Sequence, residues 1–267
     1  MASATSLDVT IEIGGTPIVL RTGDVQFRQL LERRYPGFLR PAAAGELAFD
    51  VELREDGPDA AEEDLYVGRE GQGWWLMRGD FRAIWNPSKG RGTIQQTLSP
   101  YAVDSVLRIV HTLILAPQGG FLLHGASAIR NGRAFLFSGL SGAGKTTISS
   151  LAPPDATLLT DEISYIRQVR AGYSACGTPF AGELARVGSN ASAPIAHLFF
   201  LAKGPENRID PVLQADALRM LLRNILFFAD DPSLVEMVFR SAFDFLNRVP
   251  ASRLTFYPDE RVWELIQ

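Results

Sequence analysis

Gly139-Leu140-Ser141-Gly142-Ala143-Gly144-Lys145-Thr146 satisfies the phosphate-loop pattern G-x-x-x-x-G-K-[ST] at every position. Such a loop works only between a strand and a helix, so it dictates the local fold around it. Both neighbours are legible. Ala134-Phe135-Leu136-Phe137 follows the turn signal Asn131-Gly132 and reads as a short buried strand. Thr146 to Ala152 can open a helix that Pro153-Pro154 ends. The lysine carries its own weight, because the chain has 23 arginines but only Lys89, Lys145 and Lys203. A compact ammonium fits inside a ring of backbone amides, whereas a planar guanidinium does not.

The chemistry expected of the loop follows from its residue types. Successive N–H groups of Gly139, Ser141, Gly142, Ala143, Gly144, Lys145, Thr146 and Thr147 form the cradle for a nucleoside triphosphate, taken here as ATP. The glycines permit positive φ and close approach. Lys145 reaches the outer phosphates, and the Thr146 hydroxyl is a ligand for Mg²⁺.

Downstream, the strand Ala156-Thr157-Leu158-Leu159-Thr160 delivers Asp161-Glu162 at its C-terminal end, the edge where ligands sit in open α/β sheets. A carboxylate there either holds the metal or accepts the proton of an attacking hydroxyl. If the strand persists, Asp161 and Glu162 point to opposite sides, and only one need face the metal. His124 closes an apolar strand immediately before Gly125 and is a candidate donor or proton relay at a phosphate. His111 and His197 lie in apolar patterns and read as structural, while Arg208 and Arg223 are candidate counter-charges.

Bulk properties narrow the class. The chain has 267 residues, 46% of them hydrophobic, and can bury one large core or two modest ones. A net charge of −4 offers no basic footprint for nucleic acid. Cys176 is the single cysteine, so an intrachain disulfide is excluded. Met1 to Ser6 has neither the basic nor the apolar part of a secretory signal, and no apolar run approaches the roughly 20 residues of a membrane span. These features lead us to expect a cytoplasmic protein.

Two regions are expected. Residues 1–98 read as a β-rich N-terminal domain: a Gly14-Gly15 hairpin, a short helix from Val25 to Arg34, then short strands to Leu98. Trp74, Trp75 and Trp85 fit either the core of those strands or a ligand groove. Residues 99–267 read as a nucleotide-binding domain with an α/β core. It opens on Ser99-Pro100 as helix cap and first turn, with a helix to Leu115 and a strand from Phe121. Its tail is expected to hold helices at Val212–Ala229 and Ser233–Asn247, a strand near Arg253–Tyr257 and a closing helix from Asp259 to Ile266. Gly172 to Ser192, rich in small residues, is a candidate cover for a substrate, with Glu183 and Arg186 facing it.

Leu122-Leu123-His124-Gly125-Ala126, the phosphate loop and Leu158-Leu159-Thr160-Asp161-Glu162, in that order and spacing, resemble the core of bacterial HPr kinase/phosphorylase. They are also similar to shorter HPr-kinase-like proteins, among them the kinases of lasso-peptide gene clusters. Gly177 to Glu183 and Leu254 to Asp259 look like that branch, and the resemblance covers roughly residues 100–267. It implies an HPr-kinase-like fold shared with phosphoenolpyruvate carboxykinase: a phosphate-loop core with a mixed sheet and C-terminal helices behind an α+β N-terminal unit. It also implies serine-kinase chemistry in which Lys145 and Thr146 bind phosphate and metal, Asp161 is the base and His124 supports the phosphate site. Self-association is compatible with it. The chain departs from the family at Thr146-Thr147, where Ser then Glu is usual, and at Glu162, where a second Asp is usual. The downstream segments that engage HPr are not evident.

The expected function is transfer of the γ-phosphoryl group of ATP to a hydroxyl, a serine of a peptide or small protein foremost. A small-molecule acceptor on the same scaffold, and a nucleotide-binding regulatory module without transfer, are the alternatives.

Overall fold

The computed structural model describes residues 7–43, 46–54, 64–180, 182 and 187–267. Its architecture is mixed α/β and forms two compact units, Met1–Leu113 with Phe228–Pro232, and Ile114–Phe227 with Ser233–Gln267.

The first unit is built on an eight-stranded sheet with the order β3-β1-β2-β4-β8-β7-β6-β5. Its elements are β1 (Leu7–Ile13), β2 (Thr16–Thr22), α1 (Val25–Arg34), β3 (Leu39–Arg40), β4 (Leu47–Leu53), β5 (Tyr66–Glu70), β6 (Gly73–Arg78), β7 (Phe81–Asn86) and β8 (Arg91–Gln96). Gly14 and Gly15 both take positive φ between paired Ile13 and Thr16, the two-residue turn the sequence predicts. Asp24 caps α1 by accepting from the Phe27 amide at 2.7 Å. The tryptophans divide by the two-residue period of their strands. Trp74 and Trp85 pair across β6 and β7 and are buried, whereas Trp75 faces the other way and lines a hollow of about 450 Å³.

α2 (Pro100–Leu115) starts where Ser99-Pro100 predicts, with the Ser99 hydroxyl accepting from the Tyr101 amide. Its Asp104 is buried, pairs with Arg34 and accepts from the Tyr35 hydroxyl at 2.6 Å, which ties α2 to the end of α1. On the same helix His111 is fully buried, and burial lowers its pKa to about 3. The unfolded chain protonates this side chain near pH 6.5 and the folded chain does not. Stability is therefore intact above that pH and falls by about 1.4 kcal/mol per pH unit on going down toward about 3. Burial of His197 acts in the same direction. Chemical unfolding at stepped pH is expected to show this slope, and His111→Leu to flatten it.

The second unit holds β9 (Phe121–Arg130), β10 (Arg133–Ser138), α3 (Lys145–Ser150), β11 (Thr157–Thr160), β12 (Ile163–Val169), β13 (Gly172–Cys176), β14 (Ser192–Lys203), β15 (Arg208–Pro211), α4 (Gln214–Leu222), β16 (Ile225–Leu226), α5 (Pro232–Arg248) and β17 (Ala251–Phe256). A 3₁₀ segment, Glu260–Leu265, stands where a closing helix is expected, capped by Asp259. The sheet is mixed. β10 runs parallel to β14 and β14 to β17, while β9 is antiparallel to β10, β11, β12 and β16. Two apolar layers cover its faces. Phe200, Leu198 and Phe245 pack with Ala217 and Leu221 of α4 on one side. Phe137, Phe199, Leu254 and Trp263 pack with Ile148 of α3 on the other.

Two expectations are corrected here. The helix expected over Val212–Ala229 ends at Leu222, because Ile225–Leu226 instead pairs with Leu122–Leu123 of β9. The first five residues of the expected 172–192 cover are strand β13, held between β12 and β14. Among the described residues no helix is long and apolar enough to cross a membrane.

Candidate functional site

β9 changes partners in mid-strand, and the candidate site lies at the change. Gly125 to Arg130 pair on one side with β10, and Leu122–Leu123 pair on that same side with β16. On the other side Ser127 to Ile129 pair with β11, and Phe121 to His124 with β12. Two chain segments therefore leave the ladder at the level of His124–Gly125. After Ser138, β10 turns off into the glycine-rich loop Gly139–Gly144. Between β11 and β12, Asp161–Glu162 bend out of the strand.

The bend is held by short bonds. The Thr160 hydroxyl accepts from the amides of Glu162 and Ile163, both at 3.2 Å, and the Gly125 amide donates to the Glu162 carbonyl at 2.8 Å. Because the residues bend instead of continuing the strand, the alternation expected for Asp161 and Glu162 does not apply. Both line one cavity of about 640 Å³. Asp161 is buried, and its carboxylate accepts from the Gly182 amide at 3.0 Å. A Cβ at residue 182 would stand 3.0 Å from that carboxylate, so glycine lets the backbone come this close.

On the loop side, Ser141, Gly142, Gly144, Lys145, Thr146 and Thr147 line the same cavity, as does His124. Gly139 and Ala143 form the frame behind it: a Cβ on Gly139 would stand 2.8 Å from that of Ala143. Gly142 and Gly144 take φ of 76° and 109°. Lys145 is largely buried, and its Nζ donates to the carbonyls of Gly139 (3.0 Å) and Leu140 (3.3 Å), folding back over the start of the loop. α3 has six residues and is fixed from outside, with the Trp263 indole donating to the Ile148 carbonyl at 3.1 Å. A helix this short has a weak dipole, so the polar character of the segment comes from its loop amides and the Lys145 ammonium.

One lining residue was not anticipated. Lys203, the last residue of β14, lies on this cavity, so two of the chain's three lysines share it. Among the described residues Lys203 forms no ion pair or side-chain hydrogen bond. With only three lysines in the chain, their scarcity marks Lys203 as much as Lys145. Arg208 pairs with Glu206 and Asp210 and does not line this cavity, and Arg223 lines a different hollow. Glu183 and Arg186 lie outside the described residues. His197 stacks on Phe199 with its ring nitrogen 3.0 Å from the Ser252 hydroxyl, a structural role as expected.

Two lysines and two carboxylates lining one cavity can bind a polyanion and accept a proton beside it. No curated protein matches the chain. Residues 92–267 match the family described as SynChlorMet cassette protein ScmC. That match spans more than half of the 267 residues, and the chain belongs to the ScmC family.

Proposed function

We propose that the protein is an HPr-kinase-like, ATP-dependent kinase that phosphorylates a hydroxyl, a serine of a peptide or small protein foremost. The observation that carries this reading is the meeting, in one cavity of about 640 Å³, of the phosphate loop with Asp161 and His124.

In the proposed reaction the acceptor oxygen attacks the γ-phosphorus as the bond to the β–γ bridging oxygen breaks, and ADP leaves with that electron pair. The hydroxyl proton passes to Asp161. Loop amides and Lys145 hold the phosphates, and His124 donates to a phosphate oxygen. Lys203, at the end of β14, adds a second positive charge to the same cavity.

Among the described residues no group of three or more His, Cys, Asp or Glu forms a metal cage. Magnesium does not require one, since it takes one or two carboxylates plus phosphate and water. Thr146, Asp161 and Glu162 around one cavity fit that set, and the ion would supply neutralisation of phosphate charge.

Incubation with γ-labelled ATP and candidate acceptors is expected to give labelled peptide at the expense of ATP. Lys203→Met is expected to raise the Kd for ATP about 10–100-fold, the loss of one or two charge-assisted contacts, and calorimetric titration measures it. Unchanged affinity removes Lys203 from the phosphate site.

A further inference from the structure

The acceptor half of the reaction has a candidate seat. Resting on the kinase reading above, we infer that a second hollow binds a carboxylate of the acceptor close to the hydroxyl that is phosphorylated. This hollow, about 280 Å³, is lined by Gly139 and Leu140, by Phe200 and Ala202 of β14, and by Arg223 and Arg253. The two arginines come from separate elements, the end of α4 and strand β17. Among the described residues neither is in an ion pair, although arginines elsewhere engage acids, as Arg34 does Asp104 and Arg130 does Asp155. Two guanidinium groups without an acid partner among the described residues therefore share one small hollow. Paired guanidinium groups are suited to carboxylates through bidentate bonds.

Its position is that of an acceptor and not of a second nucleotide. Lys145, which lines the cavity of the proposed transfer site, donates to the carbonyls of Gly139 and Leu140. Those same two residues line the hollow. α3 lies with Ile148 in one apolar layer, whereas Phe200 and α4 belong to the layer on the other face. In-line displacement needs the attacking oxygen opposite the leaving oxygen. An acceptor entering from the α4 face meets the outer phosphate from that side. Asn224, also in the lining, accepts through its carbonyl from the His124 amide at 2.7 Å, linking the hollow to the proposed transfer site.

The test is steady-state kinetics on serine peptides matched except for Asp, Ala or Lys beside the serine, with a free hydroxy acid as a further acceptor. The wild type is expected to show at least a tenfold higher kcat/KM for carboxylate-bearing acceptors. Preference for the acidic peptide or for the free hydroxy acid tells which source supplies the carboxylate. In Arg223→Ala/Arg253→Ala the preference is expected to vanish through KM. In Arg223→Glu/Arg253→Glu it is expected to invert toward the Lys peptide, an outcome misfolding cannot produce. A wild type without acid preference, or a charge-reversed variant that keeps it, overturns the inference while leaving the kinase reading intact. A wild type that binds no ATP overturns both.

Discussion

Asp161→Asn is expected to slow phosphoryl transfer by about 10²–10⁴-fold, the usual loss when a positioned general base is removed. The carboxylate is buried, accepts from the Gly182 amide and lies on the cavity shared with Lys145, so asparagine fits its space without its basicity. Lys145→Ala is expected to act earlier, by weakening nucleotide binding itself. The two variants separate by measurement: titration of ATP reports the lysine, and single-turnover transfer with ATP saturating reports the aspartate. If Asp161→Asn transfers at the wild-type rate while Lys145→Ala does not, Asp161 is not the base.

Gly144→Ala is expected to be the most damaging single methyl in the loop. At φ 109° an alanine is strained, and its Cβ would stand 2.7 Å from the Phe256 ring. Strain and overpacking together cost roughly 2–6 kcal/mol. Gly142→Ala is the matched control: φ is 76° but nothing lies within 4 Å of the added carbon, so only strain remains, about 1–2 kcal/mol. Thermal unfolding should rank the two in that order, and Phe256→Ala should recover part of the Gly144→Ala loss. Equal losses would show that the ring yields and that Phe256 does not limit the loop.

The strand, glycine loop and helix start around Gly139–Thr146, and the strand ending before Asp161, were legible because their signals are local: glycine spacing, a lysine, and a carboxylate after an apolar run. The hairpins at Gly14-Gly15 and Asn131-Gly132 were legible for the same reason, since positive φ at four residues announces the turns. What was hidden depends on partners distant in sequence. Apolar residues from Leu221 to Phe228 suit a helix or a strand equally, and pairing with β9 decides for Ile225–Leu226. Asp161 and Glu162 line one cavity because the Thr160 hydroxyl takes two amides and bends the chain, which strand periodicity cannot foresee. Lys203 was hidden because only the parallel pairing of β10 with β14 brings its strand end beside the loop.

The partner change along β9 also works as a ruler. The loop departs from the strand on one side of β9, and Asp161 bends out from the strand on the other. The two departure points are thus two interstrand intervals apart, about 9–10 Å of backbone separation. That interval is fixed by ladder hydrogen bonds and not by side-chain choice. β9 itself runs between the two departure points, so its ladders set how far apart the loop segment and Asp161 stand. Substitutions in the site can alter its chemistry, but the gap across which that chemistry acts belongs to the sheet.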